Sequence, residues 1–166
     1  MTVEDHQEES IVRFLSLFGC GDRRDVLIRD PEATVERLVL AAVEFNHRVV
    51  NDFGGRESAT RGLALVRQGI GAAFQSFDGK DLYSGIFDKA AALFRGIVAG
   101  HPFGDGNKRT GFLLAAYFLQ QTGYPVPPEL PTEEIEQLCL RVSAGEIREI
   151  PVISKTLRRL WGRGNG

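Results

Sequence analysis

The sequence predicts an all-α protein built as a single domain, in which two strongly apolar helices form a central pair around one polar loop. Three observations carry this. Apolar residues recur at helical spacing through most of the chain. The two most apolar stretches, Ser84 to Gly100 and Asn107 to Thr122, lie directly on either side of the loop from His101 to Gly111. No repeat, low-complexity block or long linker divides the 166 residues, a length that suits one domain with a real core.

The elements follow in order. Met1 to Glu9 is acidic and polar and reads as a loose terminus. Ser10 caps a short helix from Ile11 to Phe18, with Ile11, Phe14, Leu15 and Phe18 on one face and Gly19 and Gly21 at its end. Asp22 to Asp30, with Val26, Leu27 and Ile28, is ambiguous between strand and turn. Asp30-Pro31-Glu32 is a helix start: an N-cap, a proline at the first helical position and a first-turn acid. That helix is expected to run to about Asp52, ending at Phe53-Gly54-Gly55. A further helix is expected from Ser58 or Thr60 to about Phe77. Its Gly62, Gly69 and Gly71 each cost it roughly 1 kcal/mol against alanine, unless close helix packing uses them. Asp78-Gly79-Lys80-Asp81 is a turn, the tip of a short hairpin or an ordinary surface turn.

After the central pair, Gly123 and the prolines at 125, 127, 128 and 131 keep the chain extended. Thr132 is expected to N-cap a helix ending near Gly145. A last helix is expected from Ser154 to Trp161, with a disordered tail from Gly162 to Gly166. The expected division is an N-terminal extension, partly helical, over 1–40, the main helical domain that holds the polar loop over 41–152, and a C-terminal helix and tail over 153–166.

Composition excludes several classes. A hydrophobic share of 43%, a charged share of 25% and a net charge of −2 describe an ordinary globular protein. They argue against broad nucleic-acid binding, and no basic helix points to direct DNA binding. Cys20 and Cys139 form no Cys-x-x-Cys pair, and with three histidines they make no zinc pattern. Free buried thiols suit a reducing compartment. No apolar run is long enough to span a membrane and the N-terminus lacks the pattern of a secretory signal, so the expected location is the cytoplasm.

The chemistry converges on His101-Pro102-Phe103-Gly104-Asp105-Gly106-Asn107-Lys108-Arg109-Thr110-Gly111. A polar, glycine-rich loop between two buried helices is poor core material and good material for an anion site. Gly104 and Gly106 let the backbone turn and approach a ligand. Asn107 to Thr110 begin a helix, so their N–H groups and the helix dipole face the loop, and Lys108 and Arg109 add formal charge. Asp105 can hold a divalent metal, which commonly accompanies phosphates. His101 is the natural proton acceptor near neutral pH. Read singly, each of these residues is equally at home in a well-capped helix turn; together they indicate a phosphate and metal loop with a histidine base. His47 reads as a surface or packing residue, and His6 has still less claim on function. P-loop, dinucleotide-fold, kinase-type and esterase-elbow motifs are absent.

This stretch resembles the signature of the Fic/Doc superfamily, His-x-Phe-x-Asp/Glu-Gly-Asn followed by basic residues, and more narrowly its death-on-curing (Doc) branch. The resemblance extends to Asp81-Leu82-Tyr83, to Lys89-Ala90-Ala91-Ala92-Leu93 and to Gly123-Tyr124, and covers roughly residues 45–150. It implies the all-helical Fic/Doc fold. It also implies transfer of part of a nucleoside triphosphate to a protein hydroxyl, with ATP as co-substrate and Mg²⁺ as cofactor. In that reading His101 is the catalytic base, Asp105 holds the metal, and Gly106, Asn107, Lys108 and Arg109 bind the nucleotide phosphates. Phe103 anchors the loop.

Fic adenylyltransferases carry Asn-Gly-Arg and a second arginine three residues on; those positions here hold Lys108, Arg109 and Phe112. The lost arginine favours the Doc-type reaction, transfer of the terminal phosphate. In that branch the acceptor is a threonine of elongation factor Tu, translation is inhibited, and the toxin is restrained by an antitoxin acting in trans. Gly106 points the other way, because adenylyltransferases share it whereas the original Doc toxin has alanine there. Protein adenylylation (AMPylation) is therefore the alternative, and a non-catalytic Fic-fold module that binds nucleotide or partner is a further one, disfavoured by the presence of both His101 and Asp105. Thr132 to Gln137 only approximates the inhibitory-helix motif of some Fic proteins.

Overall fold

Asp30 begins the first long helix, and its side chain does what an N-cap should: Oδ1 accepts the N–H of Ala33 at 3.1 Å. The computed structural model describes residues 13–15, 29–53 and 62–162. Helix α1 spans Pro31–Phe53, crossing residue 40, where the sequence had suggested a boundary. It buries Leu38, Val39, Ala42, Phe45, Asn46, Val49 and Val50. Each has another of the set three or four residues away, the spacing of one helix face.

The second helix is shorter than its apolar pattern predicts. Helix α2 covers Leu63–Gly71 and passes into a single 3₁₀ turn over Ala72–Phe74. The chain then extends at Gln75 and forms a hairpin, β1 (Ser76–Phe77) paired antiparallel with β2 (Lys80–Asp81). Asp78 and Gly79 connect them with φ of 54° and 76°, the doubly positive turn that matches strand twist. Phe77, expected on a buried helix face, is instead 83% exposed on the hairpin. The local Asp-Gly turn outweighed the helical spacing of the residues before it.

Helix α3 (Ile86–Val98) and helix α4 (Asn107–Gln121) are the central pair, and they pack on each other more extensively than any other two elements. Helix α3 also touches α2, helix α5 (Thr132–Ser143) and helix α6 (Ile150–Gly162), whereas α4 is backed by α1 and α5. At the α2–α3 crossing the backbones meet: a Cβ on Gly69 would come within 2.8 Å of the Gly96 carbonyl oxygen. Gly69 is thus used for close packing, whereas a Cβ on Gly62 or Gly71 would meet open space.

Among the described residues, one buried side chain of the core is of a charged type. Lys89 on α3 is 2% exposed, and its Nζ donates to Asp81 Oδ2 at 3.2 Å and to the carbonyl of Tyr83. Arg95, two turns along α3, donates to the Tyr83 hydroxyl at 3.1 Å. The segment leaving the hairpin is therefore bonded to α3 at two levels.

The C-terminal elements differ from expectation at their starts. Pro131, with no side-chain cap, occupies the N-cap position of α5, and Thr132 is its first helical residue. Helix α6 begins at Ile150 rather than Ser154, because Pro151 is well tolerated in a first helical turn. Its Ile153, Leu157, Leu160 and Trp161 are buried. The expected Ile11 to Phe18 helix is described only at Arg13, Phe14 and Leu15, which are helical. The expectations for His6, Cys20, Asp22 to Ile28 and residues 163–166 lie outside the described residues.

Candidate active site

The loop begins where α3 stops. The N–H of His101 still bonds the Ile97 carbonyl at 3.1 Å, and His101 then turns the chain with φ of 47°. That left-handed conformation is normally left to glycine and costs another residue roughly 1–2 kcal/mol. A strained residue at the start of a polar loop is a recurrent mark of a site. The imidazole is half-buried, and among the described residues its ring nitrogens have no hydrogen-bond partner.

Phe103 fixes the loop to the core at 2% exposure. Its backbone is then stapled by Asn107. Asn107 Oδ1 accepts the Phe103 N–H at 3.0 Å, and Asn107 Nδ2 donates to the Phe103 carbonyl at 3.0 Å. The Asn107 side chain, expected to bind phosphate, thus bonds the loop backbone with both ends of its amide. Gly106 is the glycine that uses its freedom, with φ of 74° at the N-cap position of α4. Gly104 is not among the positive-φ residues. The Gly106 N–H, another expected phosphate donor, points to Asp105 Oδ1 at 2.7 Å.

No side chain caps the start of α4. Its first turn presents Asn107, Lys108 and Arg109 at the positive end of the dipole, with the Lys108 and Arg109 side chains exposed. An anion with its own acceptor oxygens is the natural complement of such a helix start.

The carboxylate of Asp105 is exposed. Among the described residues no three His, Cys, Asp or Glu side chains cluster as a metal cage. One carboxylate nevertheless fits Mg²⁺, which takes one or two protein carboxylates and completes its shell with water and substrate phosphates.

A residue outside the motif supports the loop. Asn46 of α1 is 1% exposed, and its Nδ2 donates to the Asp105 carbonyl at 2.7 Å and to Thr110 Oγ1 at 3.2 Å. Nothing in the sequence singled it out, except that a lone asparagine sits in the apolar stripe of α1. His47 next to it is exposed and pairs with Asn51 at 3.1 Å, away from the chemistry.

Phe112, at the position of the second arginine of the adenylyltransferase pattern, is 2% exposed and packs against Trp161 with ring centroids 6.1 Å apart. It belongs to the core.

Cys139 of α5 lies under the loop's basic end, its Sγ 3.8 Å from the Lys108 carbonyl oxygen. Burial pushes its thiol up to about 12, against the pull of the nearby Lys108 and Arg109 charges. The native thiol therefore keeps its proton between the ordinary value of 9.0 and about 12, whereas the unfolded one ionises there. Its contribution to stability is complete below pH 9.0 and is lost as pH rises towards 12. In a Cys20→Ser background, Cys139 is expected to resist a maleimide at pH 7.5 until denaturant is added. Urea titrations are expected to lose midpoint less steeply above pH 9 when Cys139 is replaced by alanine. Rapid native labelling would contradict this account.

Comparison with known proteins agrees with this geometry. A family model described as "Fic/DOC family" matches residues 36–119. Toxin Doc of Mycolicibacterium smegmatis is 32% identical over 91 residues, covering 55% of this chain and 69% of that protein. Protein kinase doc of Escherichia phage P1 is 34% identical over 77 residues, covering 46% of this chain and 58% of that protein. The chain thus spans a little over half the length of the phage kinase. No solved structure matches the chain. Among the described residues no helix is long and apolar enough to cross a membrane. The family match and the loop built on His101, Asp105 and the start of α4 agree, and the chain belongs to the Fic/DOC family, on its Doc branch.

Proposed function

We propose that this protein is a Doc-like toxin that transfers the terminal phosphate of a nucleoside triphosphate, bound with Mg²⁺, to a hydroxyl group of a protein. The observation that carries the reading is the convergence of His101, Asp105 and the uncapped, basic start of α4 on one loop. The names of the two relatives, a toxin and a protein kinase, support it.

In this mechanism the triphosphate lies against the α4 N-terminus. The N–H groups of its first turn and the Lys108 and Arg109 side chains hold the phosphates and offset charge that grows during transfer. Asp105 would hold Mg²⁺, which would supply positive charge to neutralise the phosphates. The imidazole of His101, with no competing partner among the described residues, takes the proton of the acceptor hydroxyl. The hydroxyl oxygen bonds to the γ phosphorus, the bond from that phosphorus to the β–γ bridging oxygen breaks, and the nucleoside diphosphate leaves. Asn107 and Phe103 keep the loop in one shape.

Transfer of the γ phosphate is preferred to adenylylation because the buried Phe112 does not provide the second cation of the adenylyltransferase pattern. Gly106 favours the other order, since it is the residue adenylyltransferases carry. The acceptor proposed for first test is a threonine of elongation factor Tu. An antitoxin acting in trans is the proposed restraint, and the cytoplasm the proposed location. The exposed β1–β2 hairpin offers an edge for an extended segment of the acceptor protein.

The test uses purified protein, Mg²⁺ and a bacterial lysate or purified elongation factor Tu, with ATP labelled at the α or the γ phosphate. Label on protein from γ-ATP alone, absent with His101→Ala, is the expected result. Label from α-ATP would replace kinase by adenylyltransferase. Label from neither would favour a module that binds without turnover.

A further inference from the structure

The Asn46 amide makes its two bonds to residues 59 and 64 positions later in the chain. Its orientation is not arbitrary. The Asp105 carbonyl can only accept, so the amide nitrogen must face it; the flipped amide would set two acceptors 2.7 Å apart. Asn46 Oδ1 is left buried without a partner among the described residues. An apolar side chain of the same size would avoid that orphan acceptor, so the amide is poorly explained by packing alone.

What the amide does is span the loop's last turn. Asp105 lies just before α4 and Thr110 is its fourth residue. One NH₂ group bonds both, and Gly106 between them packs on it. A Cβ on Gly106 would stand 3.1 Å from Asn46 Nδ2 and 3.1 Å from Val49 Cγ1. The start of α4 is thus seated on α1 through one amide, which makes two hydrogen bonds, and one glycine.

We infer that Asn46 is a positioning residue for the reaction. It fixes the height of the Asp105 backbone and of the first turn of α4 relative to α1, so that the carboxylate and the phosphate-facing N–H groups hold one geometry. This rests on the loop being the phosphate site proposed above. Displacement by about 1 Å is enough to cost on the order of 100-fold in rate when reacting groups must be aligned.

The experiment compares the full-length wild type with Asn46→Leu, which keeps the size but removes the donors, and with Asn46→Ala. Two readouts are taken: amide hydrogen exchange of residues 103–110 against that of α6, and steady-state transfer of γ phosphate from Mg·ATP. Exchange in the loop is expected to rise at least about tenfold in both variants with α6 unchanged, and kcat to fall about 10- to 100-fold with the KM for the acceptor protein held within about twofold. Unchanged loop exchange would overturn the inference. So would exchange rising equally in α6, which marks a packing residue, or wild-type kcat in Asn46→Leu. If the wild type itself transfers no phosphate, the proposed function fails, and the exchange comparison alone still decides whether Asn46 positions the loop.

Discussion

Replacing His101 by alanine is expected to lower the rate of group transfer about 1000-fold while nucleotide affinity stays within about twofold. General base catalysis contributes typically 10² to 10⁴, and here the imidazole has no other partner among the described residues, so its removal disturbs no hydrogen-bond network. In the proposed mechanism the phosphates are held by the start of α4, beyond Phe103 in the chain, so the change leaves them their donors. Stability gives an independent check. At φ of 47° alanine is strained as histidine is, so its melting temperature should match the wild type. Glycine relieves the strain: His101→Gly should gain roughly 1 kcal/mol, a rise of about 2–4 °C, while remaining inactive. An active His101→Ala enzyme, or one that lost nucleotide binding in step with turnover, would remove His101 from the role of base.

Gly96→Ala is expected to cost about 3 kcal/mol, seen as a melting temperature lower by about 6–12 °C. Two effects oppose each other. Alanine in a helix interior gains up to about 1 kcal/mol over glycine. Against it, the new methyl would overlap the carbonyl oxygen of Gly69, which is backbone and cannot rotate away. The helices α2 and α3 would have to separate, uncovering Val66, Ile70 and Leu93, which are fully buried. Overlap therefore wins. Gly71→Ala is the control, because a Cβ there meets nothing and only the helix gain remains. Calorimetry on the two variants decides, and a Gly96→Ala protein as stable as the wild type would contradict the close crossing.

The candidate site was legible because its chemistry-bearing residues are contiguous. Eleven residues carry the histidine, the carboxylate, the cations and the glycine turn, and the flanking helices announce themselves by apolar density. The start of α1 was legible for a similar reason, since Asp30, Pro31 and Glu32 each act locally. What sequence could not supply were choices made at a distance. Asn46 is one polar residue in a helix, and its partners lie 59 and 64 residues away. The family resemblance gives Asn107 a phosphate-binding role, and the sequence does not show that its amide also returns four residues to the Phe103 backbone. The end of α2 was misplaced for a different reason. Phe74 and Phe77 continue its apolar spacing, yet the chain leaves the helix through a 3₁₀ turn so that Asp78 and Gly79 can close a hairpin.

The burial of Lys89 bears on how the hairpin behaves. An amine that deep is tolerable only while its acceptors stay in place, and those acceptors, Asp81 Oδ2 and the Tyr83 carbonyl, belong to the segment leaving the hairpin. Swinging the hairpin outward would strand the amine in an apolar interior. The hairpin and α3 are accordingly tied together through Lys89, and the edge carrying Phe77 is preformed. A protein that docks there finds a shape already set, and the cost of adjustment falls on its own chain.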